Sequence, residues 1–345
     1  MTCKAIAVAC AAFILSAASI LSAAIILSAA SILSAASARA EDWPARAITL
    51  IVPFAAGGGI DANARVQALA LAEVLKQTVV VENIGAAGGT VGTARAAKAA
   101  PDGYTLLIGN SGTHAYAATL YKSLPYDPAG DFEPIGLTTD SPRILVVRKD
   151  LPVSTLKEFI AYARANQAKM QYGSAGVGSG THLPCALLNM VMGISVVHVP
   201  YRGAGPAMQD VVGGRLDYMC DTIQTGAEQA MGGMVKGIAV MGPQRLPIID
   251  LPTTSEAGLD GVDATVWNGF FFPKGTPREI VLKMNKALNE MIERPDIKKR
   301  MAEFGLTILP AEQRTPEYLA SFLPKDIDRW SKVIRDAGLE GIAGK

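Results

Sequence analysis

Past residue 46 the chain alternates short apolar runs with stretches of helical period. Residues 47–52 form a nearly continuous run rich in β-branched side chains, the pattern of a buried strand. A glycine loop follows, and residues 62–76 then carry apolar positions at helical spacing. Residues 78–81 read as a second strand, 90–100 as an Ala-rich helix, and 104–108 as a third strand after the turn Pro101-Asp102-Gly103. Strand, helix, strand, helix, strand at this spacing predicts a parallel α/β sheet with right-handed crossovers.

A second stretch repeats the logic. Residues 143–147 predict a strand, and Thr155-Leu156-Lys157-Glu158 is a capping box opening a helix to about residue 165. Gln171-Tyr172 leads into a long glycine loop, 173–182, and a helix to residue 192. Strands at 196–199, 216–219 and 236–241 surround a helix at 204–212 that stops at Gly213-Gly214. The remainder differs. An apolar, aromatic strand at 264–272 precedes Thr276-Pro277-Arg278-Glu279, which combines a capping box with proline at the first helical position. Helices to residue 293, over 296–304 and over 315–337 form a helical tail that returns to the first unit, with Pro324 expected to kink or split the last one.

Ahead of these elements stands ILSAASILSAAIILSAASILSAAS, residues 14–37, one six-residue unit written four times. Lys4 precedes it, and Ala38-Arg39-Ala40 follows as a small-x-small exit. That order predicts a secretory signal peptide, cleaved after Ala40, which exports the protein. Cleavage removes Lys4 and Arg39 from 32 basic residues, leaving 30 against 31 acidic ones and a net charge of −1. Such a balance gives no electrostatic footprint for nucleic acid or an anionic membrane. Cys185 and Cys220 survive cleavage, and in an oxidising compartment they form either a disulfide or two separate buried thiols. Closing that loop would stabilise by about 4 kcal/mol in the chain-entropy description.

Three polar stretches stand where ligands sit in open α/β sheets, after the carboxyl ends of strands. In the first, Phe54 to Asp61, glycines let backbone N–H groups approach a ligand ahead of a helix N-terminus, an arrangement that suits an anion. Gly57, Gly59 and Ala62, with Glu82 after the next strand, also fit a dinucleotide fingerprint. An exported compartment argues against that cofactor, and no cofactor is expected. Asp61 reads as the helix N-cap. The second stretch runs from Gly173 to His182, and the third from Gly109 to His114. Neither of the first two contains Lys or Arg, so a bound acid would be met by oriented N–H dipoles and hydroxyls. His114, His182 and His198 lack metal-ligand spacing, so no metal is expected. Gly109-Asn110-Ser111-Gly112-Thr113 fails as a nucleophile elbow at its last position, although a triad assembled in space remains open. Trp267 and Phe54 either stack on an aromatic ligand or belong to the core, with core favoured for Trp267.

At these loops the sequence resembles the Bug family, the extracytoplasmic solute-binding receptors of tripartite tricarboxylate transporters (TctC-like). The stretches VPFAAGGGIDANAR, VVVENIGAAGGTVGT, AAPDGYTLLIG, YGSAGVGSGTHL, HVPYRGAGPAMQDVVGGRLDYMCD, LPTTSEAGL and PKGTP occur in family order over nearly all of residues 47–277. The resemblance implies a two-lobe α/β periplasmic binding fold of type II-like form, with two crossover connections and a helical C-terminal tail. Lobe one would hold residues 41–141 and 267–345, and lobe two 142–266, after a signal peptide at 1–40. It implies one ligand carboxylate held by Ser174 and by Gly178, Ser179, Gly180, Thr181 and His182. The other end would be met by Phe54, Ala55, Ala56, Gly57 and Gly58, with hydroxyls added by Ser111 and Thr113. Asp221 matches a position that contacts the amino group of amino-acid ligands. If Cys185 and Cys220 bond, they tie the helix behind the second loop to the strand ending at the site. The expected function is capture of a small mono- or dicarboxylate by a monomer that docks on a two-subunit membrane permease, without chemistry. The alternatives are a secreted α/β enzyme, hydrolase-like, and a sensor protein that presents its ligand to a receptor.

Overall fold

The structure, a computed structural model, describes residues 43–336 and 338–341. The repeats at 14–37 and the cleavage site after Ala40 lie outside the described residues. Eleven strands build two sheets. The first holds β1 (Ile48–Val52), β2 (Val79–Asn83), β3 (Thr105–Asn110), β4 (Phe132–Ser141), β10 (Val266–Pro273) and β11 (Thr307–Ile308), in the order β11-β4-β10-β3-β1-β2. The second holds β5 (Arg143–Arg148), β6 (Gln171–Ser174), β7 (Val197–Pro200), β8 (Tyr218–Thr222) and β9 (Val235–Met241), in the order β7-β6-β8-β5-β9. Each sheet is mixed. β1 pairs in parallel with β2 and β3, and β6 with β7 and β8, as the strand–helix–strand spacing predicts. β10 and β4 run antiparallel in the first sheet, and β5 against β8 and β9 in the second.

The chain changes sheet twice. β4 ends at Ser141 and β5 starts at Arg143, so Pro142 alone separates them. The return runs from the end of β9 at Met241 to the start of β10 at Val266. β4 carries no clean strand signal, because Pro134 interrupts it and proline is confined to edges and bulges. The structure accommodates Pro134 beside Phe271, where the β4–β10 register shifts. Phe132, Ile135 and Leu137 of β4 are nevertheless buried.

The helices are α1 (Gly59–Leu75), α2 (Thr90–Ala97), α3 (Ala117–Leu120), α4 (Leu156–Asn166), α5 (His182–Met192), α6 (Ala204–Val212), α7 (Ile223–Met231), α8 (Arg278–Glu293), α9 (Pro295–Glu303) and α10 (Pro316–Asp336). The capping box of α4 forms in full: Glu158 N–H donates to Thr155 Oγ1, and the Glu158 carboxylate accepts from Thr155 N–H. The one expected at α8 does not. There Pro277 is the cap position and Thr276 donates its hydroxyl to Pro273 O at 2.8 Å. Pro324 does not split α10, which runs unbroken through it. Leu319 and Leu323 before it, and Trp330 and Ile334 after it, are all buried and hold both halves to the core.

Each sheet has its own apolar core. Ile51, Leu107, Leu137, Phe271 and Leu319 belong to the first, and Leu145, Phe159, Tyr172, Leu188 and Tyr218 to the second. Cys185 of α5 and Cys220 of β8 are bonded inside the second core, with Cα atoms 5.4 Å apart. A third cluster places Trp330 and Ile334 of α10 with Tyr116 and Leu120 and with Leu183 of α5. The tail therefore packs on the first sheet's elements and also reaches a helix of the second.

Candidate functional site

Because Pro142 is the whole connection between β4 and β5, the strand ends on either side of it face a common cleft. Phe54, Gly58–Ile60, Asn110 and Asn268 line it from the first sheet, and Arg143, Ala175, Ser179–Thr181 and Thr222 from the second. Ser141 and Gln224 complete the polar wall. The cleft holds about 440 Å³ of empty space counted out to its mouth, of which about 30 Å³ admits the centre of a water molecule. That room is about enough for two waters, so the cleft is a narrow slot.

The loop between β1 and α1 turns at Gly57, whose φ of +86° lies in the left-handed region that glycine alone enters without strain. Gly58 is the N-cap and offers no side chain, so no side chain caps the helix; Asp61 in the first turn of α1 reaches back to the loop instead. Its carboxylate accepts from Gly57 N–H at 3.0 Å, Asn83 Nδ2 at 2.9 Å and Arg65 Nε at 3.1 Å. Burial raises the Asp61 pKa, but those hydrogen bonds more than offset it and hold the carboxyl below the usual range. Asp61 is thus not the N-cap that sequence spacing suggests, yet it fixes the same loop. The first N–H groups of α1 lack intrahelical acceptors and present the positive end of the helix to the cleft. Of the five residues expected from this loop, Phe54 and Gly58 line the cleft. Ala55, Ala56 and Gly57 stay at its rim against residues 202–205, where Ala55 N–H donates to Arg202 O at 3.3 Å.

The approach of the two halves is close. A Cβ on Gly59 would overlap the Thr222 side chain, and one on Gly112 would lie 2.8 Å from Gly180 N. Tyr121 Oη lies 2.6 Å from Ala87 O and 2.8 Å from Val177 O, so it faces carbonyls from both sides of the mouth.

The loop from β6 to α5 uses its side chains on itself. Ser174 Oγ bonds Gly176 O at 3.1 Å, accepts from Gly176 N–H at 3.0 Å and lies 2.7 Å from His198 Nε2. Thr181 Oγ1 accepts from Ala175 N–H at 2.8 Å, and His182 Nδ1 from Gly178 N–H at 3.2 Å. The His182 ring stacks on His198 at 4.1 Å. Burial, and then the neighbouring His198, push the His182 pKa well down; burial alone takes His198 to about 4. Both imidazoles are neutral at pH 7. Ser179, Gly180 and Thr181 reach the cleft wall, whereas Ser174, Gly178 and His182 stand behind it.

Ser111, Thr113 and Asp221 do not line this cleft. Ser111 Oγ accepts from Trp267 N–H at 3.3 Å, and Thr113 Oγ1 accepts from Asn110 N–H at 3.1 Å and contacts His114 Nδ1 at 2.8 Å. Asp221 is wholly buried, accepts from Thr225 Oγ1 through one oxygen, and leaves Oδ1 without a partner. Burial raises its pKa to about 6. Trp267 donates its indole N–H to Asp326 at 2.7 Å and belongs to the first core, as favoured from the sequence. Phe54 is 4% exposed and faces the cleft.

Sequence reasoning missed Arg143. It opens an apolar strand directly after a proline, and a lone charge at the head of a buried strand was the available signal. It also missed Asn110 and Asn268, which pair directly across β3 and β10, and Gln224 on α7. Ser174 and His198 make a serine–imidazole contact, but no carboxylate bonds His198 among the described residues, and neither residue faces the cleft. No group of His, Cys, Asp or Glu among the described residues is placed to hold a metal ion.

The profile of the family described as tripartite tricarboxylate transporter family receptor matches residues 63–339. The UPF0065 protein in the TAR-I ttuE-ttuC' intergenic region of Agrobacterium vitis is 38% identical over 303 residues, covering 87% of each chain. Among solved structures, the periplasmic binding protein BugD superposes with a TM-score of 0.84 at 38% identity, over 86% of this chain and 99% of that one. MatC from Rhodopseudomonas palustris, solved with bound malate, gives 0.81 at 39% identity, over 85% and 100%.

Proposed function

The chain belongs to the tripartite tricarboxylate transporter receptor family, and on that premise we propose that it captures a small organic carboxylate in the cleft beside Pro142. Receptors of this family bind solutes rather than transform them, and they act in the periplasm with a membrane transporter. The catalytic alternative raised by the sequence falls with that membership.

The observation that carries the ligand reading is the donor set. Two glycine loops from two different sheets, a helix N-terminus, three carboxamides and a guanidinium converge on one slot with no acidic side chain in its lining. Donors without acceptor carboxylates suit an anion. The malate held by MatC is in keeping with this. The ligand-facing residues in this reading are Phe54, Gly58, Ser179, Gly180 and Thr181, with Asn110, Arg143, Gln224 and Asn268. Ser174, His182 and Asp61 position the loops.

The finer organisation follows. Lobe one comprises residues 41–141 and 267–345 and lobe two 142–266; the change of sheet at Pro142 and again before β10 supports these bounds. Residues 1–40 act as a cleaved signal peptide. The mature protein is a monomer whose closed form docks on a two-subunit permease.

The test is a thermal-shift screen of refolded, ligand-stripped protein against aliphatic mono-, di- and tricarboxylates, aromatic acids, amino acids and neutral sugars. An acid at 100 times its Kd stabilises the fold by about 2.7 kcal/mol. A clear shift with one class of acid is expected. No shift with any acid, or a shift confined to sugars, overturns the reading.

A further inference from the structure

The receptor reading leaves open how the cleft matches ligand charge, and Arg143 is placed to do it. The residue is 3% exposed yet lines the cleft. Two of its three nitrogens are committed: Nε donates to Gly180 O at 2.5 Å, and Nη1 to Ser141 O at 3.0 Å and Ser141 Oγ at 2.8 Å. All of these acceptors are neutral. Nη2 has no acceptor among the described residues, and it lies 2.9 Å from where a Cβ on Gly180 would stand. Glycine at position 180 is what leaves that nitrogen uncovered. Burial lowers the guanidinium to a pKa of about 10, so it stays charged at neutral pH.

An unpaired buried cation costs several kcal/mol unless a partner arrives. The carboxylate that acts on it from inside the protein is Asp221, through space and without a hydrogen bond to it among the described residues. Asp221 is not in the cleft wall. No Asp or Glu lines the cleft, so nothing there would pair an ammonium group on a ligand.

We propose that Nη2 of Arg143 is the anchor for a ligand carboxylate, and that it restricts this receptor to organic acids lacking an amino group. A carboxylate between Nη2 and the Ser179–Thr181 loop completes the fork and cancels its charge. An α-ammonium in the same slot adds a second cation to an unpaired first. The inference rests on the receptor reading and narrows its ligand class to keto, hydroxy or unsubstituted acids.

The experiment is isothermal titration of the stripped wild-type protein and of Arg143→Gln with succinate, malate and adipate, each beside its diamide. Aspartate and 2-aminoadipate serve as the amino analogues. Wild type is expected to bind its best acid at least about 100-fold tighter than the diamide or the amino analogue. Arg143→Gln, shown folded by its circular dichroism and melting curve, is expected to lose about 100-fold toward the acid while the diamide changes little. A side chain that only braced the Gly180 loop would weaken acid and amide alike, and that outcome overturns the proposal. So does an amino analogue bound as well as its parent acid. Where Arg143→Gln does not fold, Arg143→Lys takes its place. A single ammonium nitrogen cannot stand at the separate positions that Nε, Nη1 and Nη2 occupy, so a tenfold or greater loss toward the acid alone is expected, and unchanged affinity overturns the proposal. Wild type that binds no acid defeats the receptor reading itself, a result distinct from wild type and Arg143→Gln binding acids equally.

Discussion

The loop between β1 and α1 is fixed mainly by one carboxylate, with a carboxamide beside it, whereas the loop between β6 and α5 is fixed from within by two hydroxyls and an imidazole. Asp61 alone gathers Gly57, Asn83 and Arg65. In the second loop Ser174, Thr181 and His182 each hold one backbone amide of the same segment. Both arrangements leave backbone N–H groups and small residues facing the cleft. The difference is concentration: in the first loop most contacts run through Asp61, with Asn83 Nδ2 also donating to Phe54 O at 3.1 Å, and the second spreads the task over its own side chains and adds a disulfide behind it. Polar residues beside a binding loop can therefore serve the loop before they serve the ligand.

The largest expected effect tests the backing of the second loop. Reducing the Cys185–Cys220 bond removes about 4 kcal/mol of stability in the chain-entropy description. Urea unfolding with and without reductant, checked by thiol alkylation and mass, measures it. Ligand affinity should fall as well, because α5 starts at the end of this loop. An unchanged midpoint in a protein with two free thiols would remove the disulfide from the comparison.

Next comes the single carboxylate. Asp61→Ala should cost about 2–3 kcal/mol and weaken ligand binding by about tenfold, since it leaves Gly57, Asn83 and Arg65 without their acceptor. Its depressed pKa gives a sign: stability from Asp61 is present above the unfolded carboxylate range near 4 and fades as pH falls through the lower folded value. If Asp61→Ala binds as wild type does, concentration is the wrong account.

The imidazoles of the second loop respond in a different window. His198 titrates near 4 in the folded protein against about 6.5 unfolded, so its contribution is full above pH 6.5 and is lost as pH falls toward 4. Melting temperature should drop through that window, and His198→Phe should flatten the drop. A melt that holds steady from pH 6.5 to 4 would contradict the buried, neutral pair.

The distributed contacts come last. Thr181→Val should cost about 1 kcal/mol and leave the other loop contacts in place, a smaller loss than Asp61→Ala. Thr155→Ala removes the α4 capping box, with a cost of about 1 kcal/mol and no change in ligand affinity. Thr155 thereby calibrates stability loss that has no bearing on the cleft.

Much of this was legible beforehand where local chemistry decides structure. Strand–glycine–helix signals placed both loops, and α6 and the start of α4 follow their caps and stops closely. The hidden parts are those that tertiary placement decides. Pro134 masked β4, because a bulge opposite Phe271 cannot be read from one strand alone. Ser111, Thr113 and Ser174 have ligand-like hydroxyls, and only the fold shows that each accepts from a neighbouring backbone N–H and stands outside the cleft lining. Arg143 showed only a lone charge at the head of a buried strand, and its role was hidden for the converse reason. Its importance lies in a nitrogen left over after Gly180 and Ser141 are served, and no spacing rule reports a remainder.

Tyr121 adds one more consequence. Its hydroxyl has one proton and faces two carbonyls, Ala87 O and Val177 O, so it can donate to only one at a time. Were the halves to part, the proton would still have Ala87 O as its acceptor, so no donor would be stranded. Its single proton adds at most one bond between the two halves, so Tyr121 contributes little to holding them together.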